Sequence, residues 1–392
     1  MTVLTGLDQI QNKKSFQEKI KGNVAYLCHS ASVDKNLNFG VNVLQKIFGT
    51  RLKKLLGPQH GMVTTVQDNM VETDHFTHPY FKLPVYSLYS ETRAPTPAML
   101  EGIDTLIIDL QDVGCRVYTY IYTMTLAMEV CGKLGVKVVI LDRPNPIDGV
   151  TVEGNILDLN YKSFVGLHAL PMRHALTMGE VAVMAQKFWN ISCELEIIPM
   201  DAWKRDMPFE ETGLSWVLPS PNLPTVDSAY TFPATVLFEG TNISEGRGTT
   251  RSLEIVGHPA IEPYSLLEKI KTAMEELNLQ GFILRPLFFE PTFQKHAKTT
   301  CGGYQIHVTD RKLFKPWAVG QVLMYVFYHE LGDKFQWKQP PYEYETKKLP
   351  IDIINGTDEI RHWIEKKQSL KNLWQFEKNE KFLSQKEICH IY

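Results

Sequence analysis

Two short runs, Thr105–Leu110 (TLIIDL) and Val136–Leu141 (VKVVIL), are almost unbroken in apolar residues. A strand in a half-solvated sheet alternates apolar and polar side chains. A run without alternation predicts a strand covered on both faces, as in a parallel sheet flanked by helices. Neighbouring segments agree. Asn23–Cys28, Leu52–Leu56 and Pro84–Tyr89 read as further strands, and Val41–Phe48, Thr119–Leu134 and Gly179–Trp189 carry helical spacing. Glu194–Met200 continues the pattern. Strand and helix in alternation predict an α/β fold with a mostly parallel sheet.

The texture changes in the Pro-rich stretch Trp216–Pro233. Beyond it, Ala234–Phe238, Phe282–Phe289 and Tyr304–Val308 read as strands, and Tyr264–Leu277 and Trp317–Leu331 as helices. That is an α+β pattern. The chain has 392 residues, more than a single core usually holds. The sequence therefore predicts an α/β domain over residues 1–230 and a smaller α+β domain over residues 231–392 that closes a cleft.

Open α/β sheets bind ligands outside the carboxyl ends of their strands. Four predicted strands end in polar clusters: GPQHG (57–61), YSETR (89–93), QDVGCR (111–116) and DRPNP (142–146). Turn formation accounts for their Gly, Pro and Asn. It does not require His60, Glu91, Arg93, Asp112, Arg116 or Arg143, and a parallel sheet places all six on one edge. The loop Leu237–Thr249 (LFEGTNISEGRGT) follows a predicted strand and adds Glu239, Asn242, Glu245 and Arg247. It reads as part of a site, as a hairpin with solvated charges, or as a phosphate cradle, although it fits no phosphate-loop motif.

Carboxylates on both sides of a cleft suit general acid and base work, and a glycosidase needs two of them flanking the scissile bond. Glu91 and Asp112 on one side, and Glu239 and Glu245 on the other, are candidates; each can equally be half of a structural ion pair. Thr177 with Glu180 forms a capping-box pattern opening a helix. Arg173 and His174 precede it, at an end that favours anions. Trp216 and Asn222 offer an aromatic platform and a fixed amide for a sugar, or for Trp216 ordinary packing. Glu72, Asp74, His75 and His78 have metal-like spacing, but a lone cluster predicts a loop rather than a metal site.

The formal net charge is −3 and no basic run is present, which removes support for nucleic acid or an anionic membrane as partner. No apolar stretch is long enough to span a bilayer. The six cysteines are scattered without a C-x-x-C, and Met1–Asn12 lacks signal-peptide texture. The expected location is the cytoplasm, or the periplasm if a leader has been removed. No metal and no cofactor are expected.

Taken in order, the clusters resemble the exo-β-N-acetylmuramidase (NamZ-like) family, long catalogued as a domain of unknown function. The stretches that carry the resemblance begin with GPQHG (57–61), PVYSLYSETRAPT (84–96), DLQDVGCRVYTYI (109–121) and LDRPNP (141–146). They continue with EGN (153–155), LPMRHALTMGE (170–180), PSPNLPT (219–225) and LFEGTNISEGRGT (237–249). It runs from about Leu27 to at least Asp310. The resemblance implies a Rossmann-like, mostly parallel domain, a smaller second domain and a site between them. It implies release of terminal, non-reducing N-acetylmuramic acid from peptidoglycan fragments, so the partner is a small muramic-acid glycan. Glu91 is then the first carboxylate, with Asp112 or Glu239 as its partner. Tyr89, Tyr118 and His60 polarise or orient. Arg93, Arg116, Arg173 and Arg247 compete for the lactyl carboxylate, which an arginine fork suits. Gln59, Arg143, His174, Asn222, Asn242 and Glu245 complete the expected binding set. The chain departs from the family at Gln59, where a glutamate is usual. An amide cannot act as a carboxylate acid or base. Either another carboxylate carries the chemistry, or the chain is an altered or inactive muramic-acid-binding protein.

Overall fold

A computed structural model of the chain describes residues 2–65, 67 and 71–392. Among these, seven strands form one sheet: β1 (Val24–Cys28), β2 (Leu52–Gly57), β3 (Phe76–Thr77), β4 (Pro84–Ser87), β5 (Thr105–Asp109), β6 (Lys137–Leu141) and β7 (Leu195–Ile198). Their order is β3-β4-β2-β1-β5-β6-β7. Every pairing is parallel except the short edge strand β3, which runs against β4. β1 and β5 are buried along their whole length. That is the physical content of their unbroken apolar runs, because helices cover both faces. The four polar clusters follow β2, β4, β5 and β6, which are mutually parallel, so they share one edge of the sheet.

The strand order reverses between β1 and β5, where doubly wound folds usually take their ligand. Here the residues at that point are committed to one another. The His29 ring accepts the Gln111 amide N–H at 3.0 Å, and its other ring nitrogen meets the Pro219 carbonyl at 3.1 Å. Tyr120 donates to the same carbonyl at 2.7 Å. The usual crevice is thus occupied by the 219 loop, and the open space lies further along the edge, towards β2.

The smaller domain holds three antiparallel strands, β8 (Ile255–His258), β9 (Phe282–Phe289) and β10 (Cys301–Val308), ordered β8-β10-β9. The helices Pro263–Glu276 and Pro316–Leu331 correspond to the two expected. The helix Pro316–Leu331 crosses the helix Val226–Thr235 closely. A Cβ on Gly320 would lie 2.5 Å from the Ala234 carbonyl oxygen, so only glycine permits that approach.

Ala234–Phe238 is not a strand. It is the end of the helix Val226–Thr235 and a following 3-10 turn, Val236–Gly240. Thr225 caps this helix through Ser228, and the Thr231 and Thr235 hydroxyls both donate to the Leu253 carbonyl, at 2.7 and 2.9 Å. A short apolar run cannot tell strand from buried helix, and Pro233, the end of the Pro-rich stretch, lies inside the helix. The 237–249 loop therefore leaves a helix end. The C-terminal part, not assigned from sequence, adds the helices Pro350–Asn355, Glu359–Glu365 and Glu380–Ile388. One continuous apolar cluster runs from Ala25 in β1 to Cys389, so the two sheets share a core.

Candidate active site

His60 has a left-handed backbone (φ 68) ahead of Gly61 (φ 77), a conformation uncommon for residues with side chains. It stands with Gln59 in the wall of a pocket between the two sheets. Thr119, at the start of the helix Tyr120–Leu134, donates to Gln59 Oε1 at 2.7 Å. Tyr118 packs edge-on against Tyr120 and Phe232, at 4.7 and 5.7 Å between ring centres. Asn222 also lines the pocket, and its side-chain oxygen accepts from Ser252 at 3.2 Å.

The facing wall comes from the smaller domain and carries two glutamates, Glu239 and Glu343. Glu239 is 6% exposed. Arg247 donates to its Oε1 at 2.5 Å and Tyr342 to its Oε2 at 2.7 Å. Arg247 is shared with Glu245 at 3.1 Å, and Glu245 also pairs with Lys295 at 2.8 Å. Burial alone would raise the Glu239 pKa, but the Arg247 charge, the Tyr342 hydroxyl and Lys295 more than offset it and hold it below its usual range.

Glu343 is 4% exposed. It sits at the tip of the Tyr342–Glu345 turn, with left-handed backbone at both Glu343 (φ 44) and Tyr344 (φ 67). Two such residues in succession are costly and persist where the surroundings enforce them. The Tyr89 hydroxyl donates to its two oxygens at 3.0 and 3.3 Å, and the Gln59 side chain also bonds to it. Burial pushes its pKa up to about 7; the Tyr89 bond works against this, and the nearby charge of Glu239 adds to it. One pocket thus holds one carboxylate kept ionised and one raised far enough that its acid form is populated near neutrality. Groups whose surroundings separate them in this way suit acid–base roles. The pocket encloses about 50 Å³ and adjoins, at Glu239, a cavity of about 450 Å³ bordered by Asn242, Lys295, Trp337 and Lys338.

Of the residues expected from sequence, the pocket brings together Gln59, His60, Tyr118, Asn222, Glu239 and Arg247, with Tyr89 joined through Glu343. Glu91 is exposed on the sheet edge and does not line the pocket. Arg93 borders it: its guanidinium stacks on Tyr89 at 4.0 Å and Tyr344 at 4.4 Å, and meets Glu72 only at 3.5 Å. Asp112 ties its own loop, accepting from the Gly114 amide at 2.7 Å, with His174 at 3.5 Å. Asn242 and Glu245 line the adjoining cavity.

Four expected binding residues are structural anchors. Arg116 is fully buried and donates to the carbonyls of Asn155, Leu170, Ile354 and Asn355. Arg143 pairs with Asp109 beneath the sheet edge. Arg173 pairs with Asp148 at 2.6 Å. His174 is buried, its Nδ1 accepting from the Leu176 amide. The capping box at Thr177 and Glu180 is present. Its helix end, however, already holds an anion of the chain's own: Asp142 accepts from Thr177 Oγ1 at 2.7 Å and from the Gly179 amide at 2.8 Å. Trp216 packs edge-on against Phe209 at 5.2 Å. In the 72–78 loop, His75 accepts from the Ser87 amide, and His78 from the Tyr80 and Phe81 amides, which are turn contacts.

Sequence reasoning missed Glu343 and Tyr342. Their only signal is the acid–aromatic alternation PPYEYE (340–345) in a stretch without regular structure, where functional residues often lie.

A family model described as exo-beta-N-acetylmuramidase NamZ, N-terminal, matches residues 24–227, and its C-terminal counterpart matches residues 230–392. The chain is 39% identical over 372 residues to the peptidoglycan beta-N-acetylmuramidase NamZ of Bacillus subtilis (strain 168), covering 95% of this chain and 86% of that protein. Crystal structures of two DUF1343 family proteins from Bacteroides fragilis NCTC 9343 share the fold. One superposes with a TM-score of 0.85 at 29% identity, the other with 0.74 at 25%, each covering 100% of this chain and 99% of the other.

Proposed function

The chain belongs to the exo-beta-N-acetylmuramidase NamZ family, and on that premise we propose that it is a glycosidase releasing terminal, non-reducing N-acetylmuramic acid from peptidoglycan fragments. The observation that carries this reading is the pair Glu239 and Glu343, buried in one pocket with opposite electrostatic surroundings. A glycosidase needs two carboxyl groups in different protonation states on the two sides of the scissile bond. The surroundings suit a sugar: Tyr118, His60 and Asn222 put polar groups in the pocket wall, and the cavity that adjoins it at Glu239 gives the room.

Arg93 is the arginine we assign to the lactyl carboxylate. Arg116, Arg143 and Arg173 are spent on internal partners, and Arg247 is held between Glu239 and Glu245. Arg93 borders Glu343; one guanidinium nitrogen donates to the Ser90 carbonyl at 2.6 Å, and its ion pair with the half-exposed Glu72 is long, so a substrate carboxylate can replace it. A cytoplasmic location belongs to this proposal; the six free cysteines support it, and cell fractionation tests it.

The test is release of the chromophore from a nitrophenyl glycoside of N-acetylmuramic acid, compared with the N-acetylglucosamine analogue, which lacks the lactyl group. The proposal expects turnover of the first and much weaker turnover of the second. The specific observation that favours a different reading is Gln59, an amide in the pocket wall. Tight binding of the muramic acid glycoside without turnover establishes that reading, a sugar-binding protein, instead.

A further inference from the structure

We propose that Glu343 is the general acid of the reaction, and that Gln59 and Tyr89 are the residues that position it. The assignment rests on the glycosidase reading above and adds to it the group that protonates the leaving sugar.

The geometry is specific. Thr119 donates to Gln59 Oε1 at 2.7 Å, which fixes the orientation of the amide and leaves its N–H groups as the side that bonds to Glu343. Tyr89 donates from another direction, at 3.0 Å to one carboxyl oxygen and 3.3 Å to the other. The Tyr89 ring is itself held under the Arg93 guanidinium, 4.0 Å from it. Glu343 therefore has a fixed carboxyl plane at a pocket wall that also carries Glu239. Neither positioning group titrates near neutrality in competition with it: an amide has no such proton, and burial raises the Tyr89 pKa further above its usual value. Residue 59 thus contributes to acid chemistry without being an acid.

The step balances without a co-reactant. The Glu343 proton passes to the glycosidic oxygen as the bond from that oxygen to the anomeric carbon breaks. The bonding electron pair stays on the oxygen and the leaving sugar departs as a neutral alcohol. The developing positive charge on the sugar ring is faced by the ionised Glu239. Water then adds at the anomeric carbon, and the proton it loses restores Glu343. The burial that raises the Glu343 pKa to about 7 keeps the acid form populated at neutral pH.

The test compares wild type, Glu343→Gln and Gln59→Met on two substrates: the disaccharide with N-acetylmuramic acid at the non-reducing end of N-acetylglucosamine, and the dinitrophenyl glycoside of N-acetylmuramic acid. The dinitrophenyl group leaves without protonation. Glu343→Gln is expected to lose about 10²- to 10⁴-fold on the disaccharide, the usual worth of a general acid, and roughly tenfold or less on the dinitrophenyl glycoside. It also loses the alkaline limb of the kcat/KM profile. Gln59→Met removes a donor that favours the charged form, so its alkaline limb moves to higher pH. Equal loss on both substrates, or an unchanged alkaline limb in either variant, overturns the assignment while leaving the glycosidase reading intact. No turnover of either substrate by the wild type overturns the glycosidase reading, and the assignment with it.

Discussion

Glu239 and Arg247 form the tightest buried ion pair in the pocket, and each has a second partner, Tyr342 for the one and Glu245 for the other. Glu239→Gln keeps the shape and removes the charge. On this account it lowers kcat on the muramic acid glycoside by about 10²- to 10³-fold, read in steady-state kinetics. Glu91→Gln, at an exposed position, is expected to leave the kinetics unchanged and the unfolding free energy within about 0.5 kcal/mol of wild type. Arg93→Met is expected to raise KM for the muramic acid glycoside about tenfold or more, the worth of a hydrogen bond to a charged group, with little change for the N-acetylglucosamine analogue. At this scale Glu239, Arg247, Gln59 and His60, which share one pocket wall or the other, were legible in sequence as candidates because each stands in a turn richer in chemistry than a turn requires. Glu343 was not. The bond from Tyr89 spans 254 positions, and neither burial nor pairing over that distance leaves a periodic trace. Glu91 shows the same limit: a carboxylate at a strand end is visible in sequence, but its exposure outside the pocket is not.

Among the elements, the strands β1 and β5, buried throughout, and β6, buried beyond Lys137, were legible because burial on both faces writes an apolar run directly into the chain. β9 was read with the bounds it has, Phe282–Phe289. The helix Val226–Thr235 was not, because it is buried on every side from Ser228 to Thr235 and contains Pro233, so it carries no one-sided helical spacing. Arg116 marks the limit of reading charge from sequence. It looked like a ligand for a carboxylate, and it serves as a clamp between the 155–170 loops and the C-terminal helix Pro350–Asn355. Arg116→Met is expected to destabilise the fold by about 3–5 kcal/mol, since four buried carbonyls lose a charged donor. Denaturant unfolding checks it; a change below about 1 kcal/mol contradicts the clamp.

At the scale of the whole molecule, the two sheets meet across a buried polar join as well as an apolar one. Glu153, in the loop after β6, accepts from the Ala318 amide at 3.0 Å near the start of the helix Pro316–Leu331. Burial raises its pKa from 4.5 to about 7, against the opposing Arg173 charge. A carboxyl group raised on folding holds its proton more firmly in the folded state. Its contribution is complete below pH 4.5 and is lost as the pH rises through about 7. Glu153→Gln keeps the acceptor without the charge. Its melting temperature is expected to fall less than that of wild type between about pH 5 and 8, read from thermal scans at fixed ionic strength; parallel curves contradict this. The join matters for function because the pocket exists only where the sheets meet, with Gln59 and Tyr118 from one and Glu239 and Glu343 from the other. The most direct test of that claim is a structure of the Glu343→Gln protein holding the disaccharide with N-acetylmuramic acid at its non-reducing end. The account predicts the glycosidic oxygen within about 2.6–3.2 Å of the residue 343 amide, with the Glu239 carboxylate facing the anomeric carbon. A sugar bound along the outer edge at Glu91, with its glycosidic oxygen remote from residues 239 and 343, contradicts it.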